Sequence, residues 1–358
     1  MNKDSRWWKV GLAAWLVALT AAGCGGQAAD EPVPAPSALP SAAPSASLAP
    51  SPTPEPFAFP LTGLGSPTAV RDRPIMVMIE NSPAARPQTG LDEADIVYEI
   101  LAEGEITRFA AFFQSKSPEV IGPVRSIRPY YVELGEGWDA VLVHAGWSPA
   151  AITRIKQRGL NHFDQVYGDD RYYWRDKSRK APHNLYTSIA KIREGIAAKK
   201  YRQEWKTPPL PAFAKPGGSL AASASPEGPS TVRSAARTDI PYIGGYDVAY
   251  EYDAATGLYG RLMEGKPHKD ARSDRQLTAA NVLILETKHV VLDKEGRRDV
   301  DLDGPGKGMW LAEGQAREIK WARKDGILRA SIDGREIALK PGTTWVQIVP
   351  AGTAYSVQ

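Results

Sequence analysis

Two segments rich in proline, alanine and serine divide this 358-residue chain and limit where a hydrophobic core can form. The first runs from Gly25 to about Pro60, and the second covers residues 207–238. Such segments bury too little apolar surface to offset the entropy lost on ordering, and proline favours extended backbone. We therefore expect a disordered tether at 24–67 and a linker or long loop at 207–239. These two segments leave an N-terminal domain at 68–206 and a C-terminal domain at 240–356.

The first 23 residues are predicted to be a lipoprotein signal peptide. Arg6 and Lys9 precede an apolar stretch, and small residues lie directly before Cys24, the single cysteine of the chain. This order of residues is typical of export signals. A lipid on Cys24 would anchor the protein in the membrane, on the outer face of the cytoplasmic membrane. An uncleaved anchor helix and a secretory signal with an incidental cysteine are the alternatives.

The N-terminal domain combines strand and helix patterns. Four apolar runs have the length and composition of strands, at residues 75–79, 95–100, 107–113 and 139–144. One helix is expected after Ser148 and Pro149, and a second after Thr187, because hydroxyl residues cap helices and proline suits the first helical position. Strands interleaved with helices predict an α/β domain.

The C-terminal domain has short alternating apolar and polar segments around turns such as Asp325-Gly326 and Asp333-Gly334. This pattern is typical of β-hairpins, and we expect no helix of normal length after Tyr242. Together the two halves predict an α+β protein, a mixed α/β layered sandwich in which an α/β domain precedes a β-rich domain.

The segment Gly122–Pro129 is the strongest candidate for a binding site. It places Arg125 and Arg128 three residues apart between prolines, and guanidinium groups bind phosphate or carboxylate through paired hydrogen bonds. Residues 154–206 add 14 Lys or Arg against six Asp or Glu, while residues 90–120 are acidic. The predicted ligand-binding residues are Arg108, Arg125, Arg128, Tyr130, Arg175, Arg179, His183 and Asn184. The alternatives are that the acidic and basic stretches pair with each other, or that the arginines pair with Glu99, Glu103 or Glu133.

His183 and Asp176 are candidates for proton transfer in a catalytic alternative, because an imidazole beside a carboxylate titrates near neutral pH. His183 and Asn184 could equally brace a loop by hydrogen bonding.

Metal and nucleic-acid binding have little support. Asp299, Asp301 and Asp303 alternate before a glycine, which resembles the start of a calcium loop, but Trp310 stands where such a loop has glutamate. This triplet is therefore only a weak calcium candidate beside its interpretation as an acidic turn. The net charge of +3 and the lack of a recognition motif argue against nucleic-acid binding. No metal and no cofactor is predicted.

Six motifs, in one order along the chain, carry a resemblance to a known group. They are IMVMIEN (75–81), ADIVYEILAEGEITRF (94–109), GPVRSIRPYY (122–131), APHNLYTS (181–188), QLTAANVLIL (276–285) and LKPGTTWVQIVP (339–350). The chain resembles the YerB-like lipoproteins, bacterial envelope proteins with paired N- and C-terminal domains of unknown function. The resemblance implies a lipid-anchored extracytoplasmic protein with a mixed α and β layered fold, and it implies no activity.

The sequence thus favours a non-catalytic envelope lipoprotein. Its partners are predicted to be the membrane, through Cys24, and an anionic cell-wall polymer, a lipid head group or an envelope protein. One alternative is a transferase or hydrolase that acts on a phosphorylated cell-wall or lipid substrate. A protein-interaction scaffold is the other.

Overall fold

The computed structural model describes residues 55–215, 232–242 and 245–358. The signal peptide, Cys24 and most of the predicted tether lie outside these residues, as does the middle of the predicted linker. The predictions for those segments, and the domain boundaries 68–206 and 240–356, stay predictions.

Among the described residues, the N-terminal half contains short strands and three α-helices. Its strands are β1 (Phe57–Ala58), β2 (Gly65–Ser66), β3 (Ile75–Glu80), β4 (Ile96–Leu101), β5 (Thr107–Phe113), β6 (Val141–His144), β7 (His162–Asp164), β8 (Trp174–Arg175), β9 (Leu185–Tyr186) and β10 (Ala212–Phe213). Its helices are α1 (Pro129–Gly137), α2 (Pro149–Gln157) and α3 (Ile189–Ala198). None of the helices in the described ranges is long and apolar enough to cross a lipid bilayer.

The C-terminal half is built from strands. They are β11 (Arg233–Ser234), β12 (Arg237–Tyr242), β13 (Tyr246–Asp253), β14 (Leu258–Met263), β15 (Lys266–Pro267), β16 (Thr278–Ala279), β17 (Asn281–Thr287), β18 (His289–Val291), β19 (Arg298–Val300), β20 (Gly306–Ala312), β21 (Gln315–Lys324), β22 (Ile327–Ile332), β23 (Arg335–Glu336), β24 (Ala338–Leu339), β25 (Thr344–Pro350) and β26 (Ser356–Val357).

One large sheet runs through both halves of the chain. Its strand order is β23-β22-β21-β20-β17-β25-β4-β5-β3-β6-β7, and β11 also pairs with β21. Strand β25 lies between β17 and β4 and is parallel to both, so that Gln347 has Ile284 on one side and Glu99 on the other. A strand from the end of the chain therefore joins the two halves into one sheet.

Both faces of the central sheet are covered. A smaller sheet, in the order β15-β14-β13-β12-β26, contributes Ile240, Val248 and Tyr250 to the core that contains Phe109 and Trp345. The opposite face packs against α1 and α2. Strands buried on both sides need apolar residues at successive positions, as in β3, whose six residues are all buried.

The predicted fold class is wrong. The protein is mostly β, with large sheets, and it is not a mixed α/β layered sandwich. The helices α1, α2 and α3 have only nine, nine and ten residues. A second sheet, together with α3, covers one face of the central sheet, where a mixed layered fold would have helices alone. The apolar runs identified the strands correctly. The spacing of apolar residues does not predict which strands become neighbours in a sheet.

Local predictions in the described part of the chain largely hold. The strands at 75–79, 95–100, 107–113 and 139–144 correspond to β3, β4, β5 and β6. The second helix is capped one residue later than expected, because the Ser188 hydroxyl, and not Thr187, accepts a hydrogen bond from the Lys191 amide at 3.2 Å. Helix α1 was not predicted from the sequence.

Candidate functional site

Residues 122–128 form an extended strip that is hydrogen-bonded to β3, to β9 and to Gly146 after β6. The Arg125 amide donates to the Met78 carbonyl at 2.9 Å, and the Val124 amide donates to the Leu185 carbonyl at 2.7 Å. Gly122 has φ +153°, and a Cβ there would lie 2.6 Å from the oxygen of Leu185. The strip is thus held against β3 and β9, which fixes where its arginines emerge.

Four side chains meet where β3 ends, and we call them the Glu80 cluster: Glu80, Ser82, Arg125 and His183. The Glu80 Oε2 atom lies 3.0 Å from His183 Nδ1, and its Oε1 accepts from the Ser82 hydroxyl at 2.8 Å. The Glu80 side chain is buried, whereas a quarter of the His183 side chain is exposed. Because an ionised carboxylate can only accept, His183 carries its proton on Nδ1. Glu80 therefore fixes the orientation and the tautomer of this histidine.

Arg125 enters the Glu80 cluster without aligned hydrogen bonds. Its Nε lies 3.3 Å from Glu80 Oε1, and 30% of its side chain is exposed. The Nε atom itself is buried and has no hydrogen-bond partner among the described residues. A guanidinium group has five donor hydrogens in a planar fork. The Arg125 side chain is thus close enough to Glu80 for charge attraction, yet it keeps donors for another acceptor.

A second group, the Glu103 cluster, contains Glu103, Arg108 and Arg128. The Arg108 Nη2 atom donates to Glu103 Oε2 at 2.9 Å, and Arg128 Nε donates to Glu103 Oε1. Burial by itself would raise the pKa of Glu103, but the Arg128 hydrogen bond and the two positive charges hold that pKa below its usual range. Two guanidinium groups share one carboxylate, so this cluster retains a net positive charge.

The other two predicted arginines are Arg175, the last residue of β8, and Arg179, on the loop between β8 and β9. The Arg175 guanidinium donates to the Asn184 side chain at 2.9 Å, while Arg179 donates to the carbonyls of Ala85 and Pro87 at 2.8 and 2.7 Å. Asn184 in turn donates to the carbonyls of Asp176 and Arg179. These contacts agree with the interpretation that Asn184 braces the loop by hydrogen bonding. The hydrogen bonds of Arg179 hold the same loop against residues 80–88. Neither arginine is within ion-pair distance of a carboxylate in the described ranges.

Two candidate residues make contacts other than those expected. Tyr130 is 2% exposed, and its hydroxyl donates to the Leu101 carbonyl at 2.9 Å. Tyr130 is part of the core and is not available to a ligand. Asp176 accepts from the Ser178 amide and is not the partner of His183. That partner is Glu80, which the sequence analysis missed. Its position directly before Asn81-Ser82-Pro83, at the end of a buried strand, was the available signal.

The alternatives proposed for the charged residues are partly realised. Arg128 pairs with Glu103, which is one of the three glutamates expected. Arg125 pairs instead with Glu80, and Glu133 pairs with Arg323. The acidic stretch 90–120 does not neutralise the basic stretch 154–206 among the residues that the structure describes. Three of its acids pair with C-terminal arginines instead, as Asp92–Arg275, Glu99–Arg261 and Glu119–Arg272.

The acidic triplet forms a turn. The Asp301 carboxylate accepts from the Asp303 amide at 2.9 Å, and Asp303 lies 3.4 Å from Arg323. Across residues 55–215, 232–242 and 245–358, no group of three or more His, Cys, Asp or Glu is arranged to hold a metal ion.

A buried polar network joins the two halves behind the candidate site. The Arg261 side chain donates to Glu99 Oε2 at 2.7 Å, to the Tyr250 hydroxyl at 2.8 Å and to His268 Nδ1 at 3.1 Å. Arg261 and Glu99 are both fully buried. The His268 Nε2–H group donates to Gln88 Oε1 at 2.7 Å. The sequence analysis missed this network because its two charged partners lie 162 positions apart.

The same network touches the backbone of the candidate site. The Gln88 Nε2 atom donates to the Glu80 carbonyl and to the Asn81 side-chain oxygen, both at 2.9 Å. Burial, followed by the Arg261 charge, lowers the pKa of His268 well below its usual value, so this imidazole stays neutral. The loop that carries Glu80 is therefore fixed from its buried side by the C-terminal half.

Comparisons with known proteins agree on one family. Residues 61–202 match the family described as protein of unknown function (DUF3048), N-terminal domain, and residues 238–346 match its C-terminal domain. The chain is 37% identical over 302 residues to the putative lipoprotein YerB of Bacillus subtilis (strain 168), covering 83% of this chain and 88% of that protein.

A solved structure shows the same fold. The crystal structure of the YerB protein from Bacillus subtilis superposes with a TM-score of 0.75 at 35% identity, and the match covers 84% of this chain and 99% of the other. These matches support the prediction of a lipoprotein of unknown molecular function, and they confirm the resemblance seen in the motifs. The chain belongs to the YerB-like family of paired DUF3048 N- and C-terminal domains.

Proposed function

We propose that this protein is a lipid-anchored envelope protein that binds an anionic group through Arg125 and the basic residues around it. In this proposal the lipid on Cys24 holds the protein on the outer face of the cytoplasmic membrane. The signal-like N-terminus and the putative lipoprotein relative support the anchor. The ligand group is a phosphate or carboxylate of a cell-wall polymer, a lipid head group or another envelope protein.

The observation that carries the proposal is the state of the Arg125 guanidinium. It lies 3.3 Å from the Glu80 carboxylate, yet its buried Nε has no hydrogen-bond partner in the described part of the chain. Leaving such a donor unsatisfied costs about 1–3 kcal/mol. A ligand from solvent cannot reach the buried Nε, so a bound oxyanion would accept from the Nη groups on the exposed part of the side chain. A purely structural ion pair would instead be expected to align its donors on the carboxylate.

Charge around Arg125 also favours an anion. The Glu103 cluster has two guanidinium groups for one carboxylate. Arg175 is exposed and hydrogen-bonded to an amide oxygen, so its charge extends toward solvent. Positive charges attract anions over about 10 Å at moderate salt concentration.

The test measures binding of two simple polyanions to the full-length protein in detergent. Poly-L-glutamate presents carboxylates and inorganic polyphosphate presents phosphates, and isothermal titration at two salt concentrations separates specific from screened attraction. We expect Arg125→Gln to weaken binding of the preferred polymer at least tenfold, because bidentate contacts with an oxyanion contribute roughly 1.5–3 kcal/mol. Arg335→Gln, at an exposed arginine of β23, is the matched control. Equal affinities for both variants and the parent protein would contradict the proposal.

The Glu80–His183 pair favours a second candidate function. A carboxylate that holds Nδ1–H leaves Nε2 of the imidazole as the proton acceptor, which is the arrangement used in general-base catalysis. The candidate is therefore the transferase or hydrolase alternative, with His183 as the proton carrier and Arg125 as the anion-binding group. Hydrolysis of bis(p-nitrophenyl) phosphate that falls on His183→Gln, with anion binding retained, would support it. A rate equal to that of the solvent blank would count against it.

A further inference from the structure

An aromatic surface lies beside the candidate site, and none of the predicted site residues belongs to it. Tyr167 is 64% exposed, and its ring stacks on Trp147 with centroids 4.8 Å apart and an angle of 24° between the planes. Val166, next to it, is 55% exposed. We call Trp147, Val166 and Tyr167 the aromatic platform. Because Trp147 covers one face of the Tyr167 ring, the opposite face of that ring is the one open to solvent.

Buried acids hold the platform in place. Asp164 is 1% exposed, and its Oδ1 atom accepts from the amides of Gly146 and Val166 at 2.8 and 3.1 Å. The Asp164 amide donates to the Asp169 side chain at 2.9 Å, and Lys199 lies 2.5 Å from that carboxylate. Loops with apolar side chains in water are usually mobile or fold inward, whereas this one is fixed by buried hydrogen bonds. The structure thus uses internal polar contacts to keep an aromatic ring exposed.

The platform and the arginine surface, by which we mean Arg125 and the Glu103 cluster, share one piece of backbone. Ile127 and Trp147 are partners in a parallel bridge. The Ile127 carbonyl accepts both from Arg128 Nη1 at 2.8 Å and from the Ser148 amide at 3.4 Å, so Arg128 and the residue after Trp147 meet at one oxygen atom. The neighbouring Ser126 carbonyl accepts from Arg108 at 3.1 Å. Both arginines of the Glu103 cluster therefore contact the backbone strip on which the platform is built.

We propose that the anionic ligand is an acidic glycan, with one sugar ring packed on the exposed face of Tyr167 and its acidic substituent bound by the arginine surface. This inference rests on the proposed function, since it names the ligand class of the same surface. A sugar ring has an apolar C–H face that packs on an aromatic ring, and its charged group requires donors nearby. A fixed aromatic ring next to guanidinium groups provides both contacts.

A protein partner fits the platform less well. Stable protein interfaces bury about 800 Å² on each partner and involve some 20–30 residues on each side. The platform consists of three residues. This is the size of a contact with a single ring, such as one pyranose.

The experiment compares two polyanions with the same charged group, using the full-length protein in detergent. Polygalacturonate is a chain of carboxylated sugar rings, and poly-L-glutamate carries carboxylates without rings. We expect Tyr167→Ala to weaken polygalacturonate binding about tenfold and to leave poly-L-glutamate binding unchanged, while Arg125→Gln weakens both. Phe57→Ala, which removes a distant ring that is 48% exposed, is the matched control and should change neither.

The outcomes separate this inference from the proposed function. If Arg125→Gln weakens binding of both polymers while Tyr167→Ala changes neither, the glycan inference is overturned and the anion site stands. If Arg125→Gln changes neither, the anion site fails, and the glycan inference fails with it. A Tyr167→Ala variant that binds both polymers normally but no longer captures a protein from the envelope would assign the platform to a protein partner, and it would also overturn the inference. Circular dichroism confirms that each variant is folded.

Discussion

Replacement of Arg261 by methionine should destabilise the protein far more than loss of an ordinary surface arginine. Arg261 is fully buried, donates to Glu99, Tyr250 and His268, and lies 4.5 Å above the Trp345 ring. Its removal leaves the Glu99 carboxylate buried without its counter-charge. Breaking one partner of a buried ion pair typically costs 3–5 kcal/mol, that is about 4 kcal/mol here. At roughly 2–4 °C per kcal/mol, Tm should fall on the order of 10 °C.

Guanidinium chloride unfolding followed by tryptophan fluorescence measures this cost. Arg237→Met is the matched control, because Arg237 is another ion-paired arginine of the smaller sheet but is 35% exposed. Exposed pairs contribute about 0–1 kcal/mol. If Arg261→Met costs no more than Arg237→Met, the argument from buried charge is refuted.

A double variant separates charge from packing. Glu99→Gln with Arg261→Met removes both buried charges, and Gln can still bond to Asn81 and Thr107, the other partners of Glu99. We expect the double variant to be more stable than Arg261→Met alone, since no uncompensated carboxylate remains. Equal stability of the two would assign the loss to side-chain packing instead.

Three further predictions concern pH, close packing and a helix cap. Burial and the neighbouring His162 lower the pKa of His144 from 6.5 to about 3. Below pH 6.5 the unfolded chain therefore binds a proton at His144 that the folded protein does not bind. Stability should therefore fall between pH 6.5 and 5, by up to about 1.4 kcal/mol per pH unit for this group, and denaturant titrations of His144→Gln that show the same slope as the parent would contradict this. Gly137→Ala should destabilise strongly, because the new Cβ would lie 1.9 Å from the Gly326 carbonyl oxygen, and a Tm equal to that of the parent would refute the close approach. Ser188→Ala should cost about 1 kcal/mol in urea unfolding through loss of the α3 cap, and a cost near zero would show that water replaces the hydroxyl.

The candidate site was predictable where its residues are neighbours in sequence. Arg125 and Arg128 stand in one short motif, and Arg175, Arg179 and Asn184 stand in one short basic stretch. Glu80 could not be assigned to His183 in advance, because they are 103 positions apart and meet only after β3 and the later loop pack together. The aromatic platform was missed for a similar reason, since exposure of Tyr167 depends on how Asp164 and Asp169 fold the loop.

The sequence by itself determined the local elements: where apolar runs form strands, where α2 and α3 begin to within about a residue, and which family the motifs indicate. These features depend on side-chain period and backbone preference over a few residues. Only the tertiary structure decided that β25 enters the sheet beside β4, that Arg261 reaches Glu99, and that Arg125 keeps unused donors beside Glu80. Each of those facts is a contact between distant parts of the chain, and local sequence patterns do not specify which distant residues come into contact.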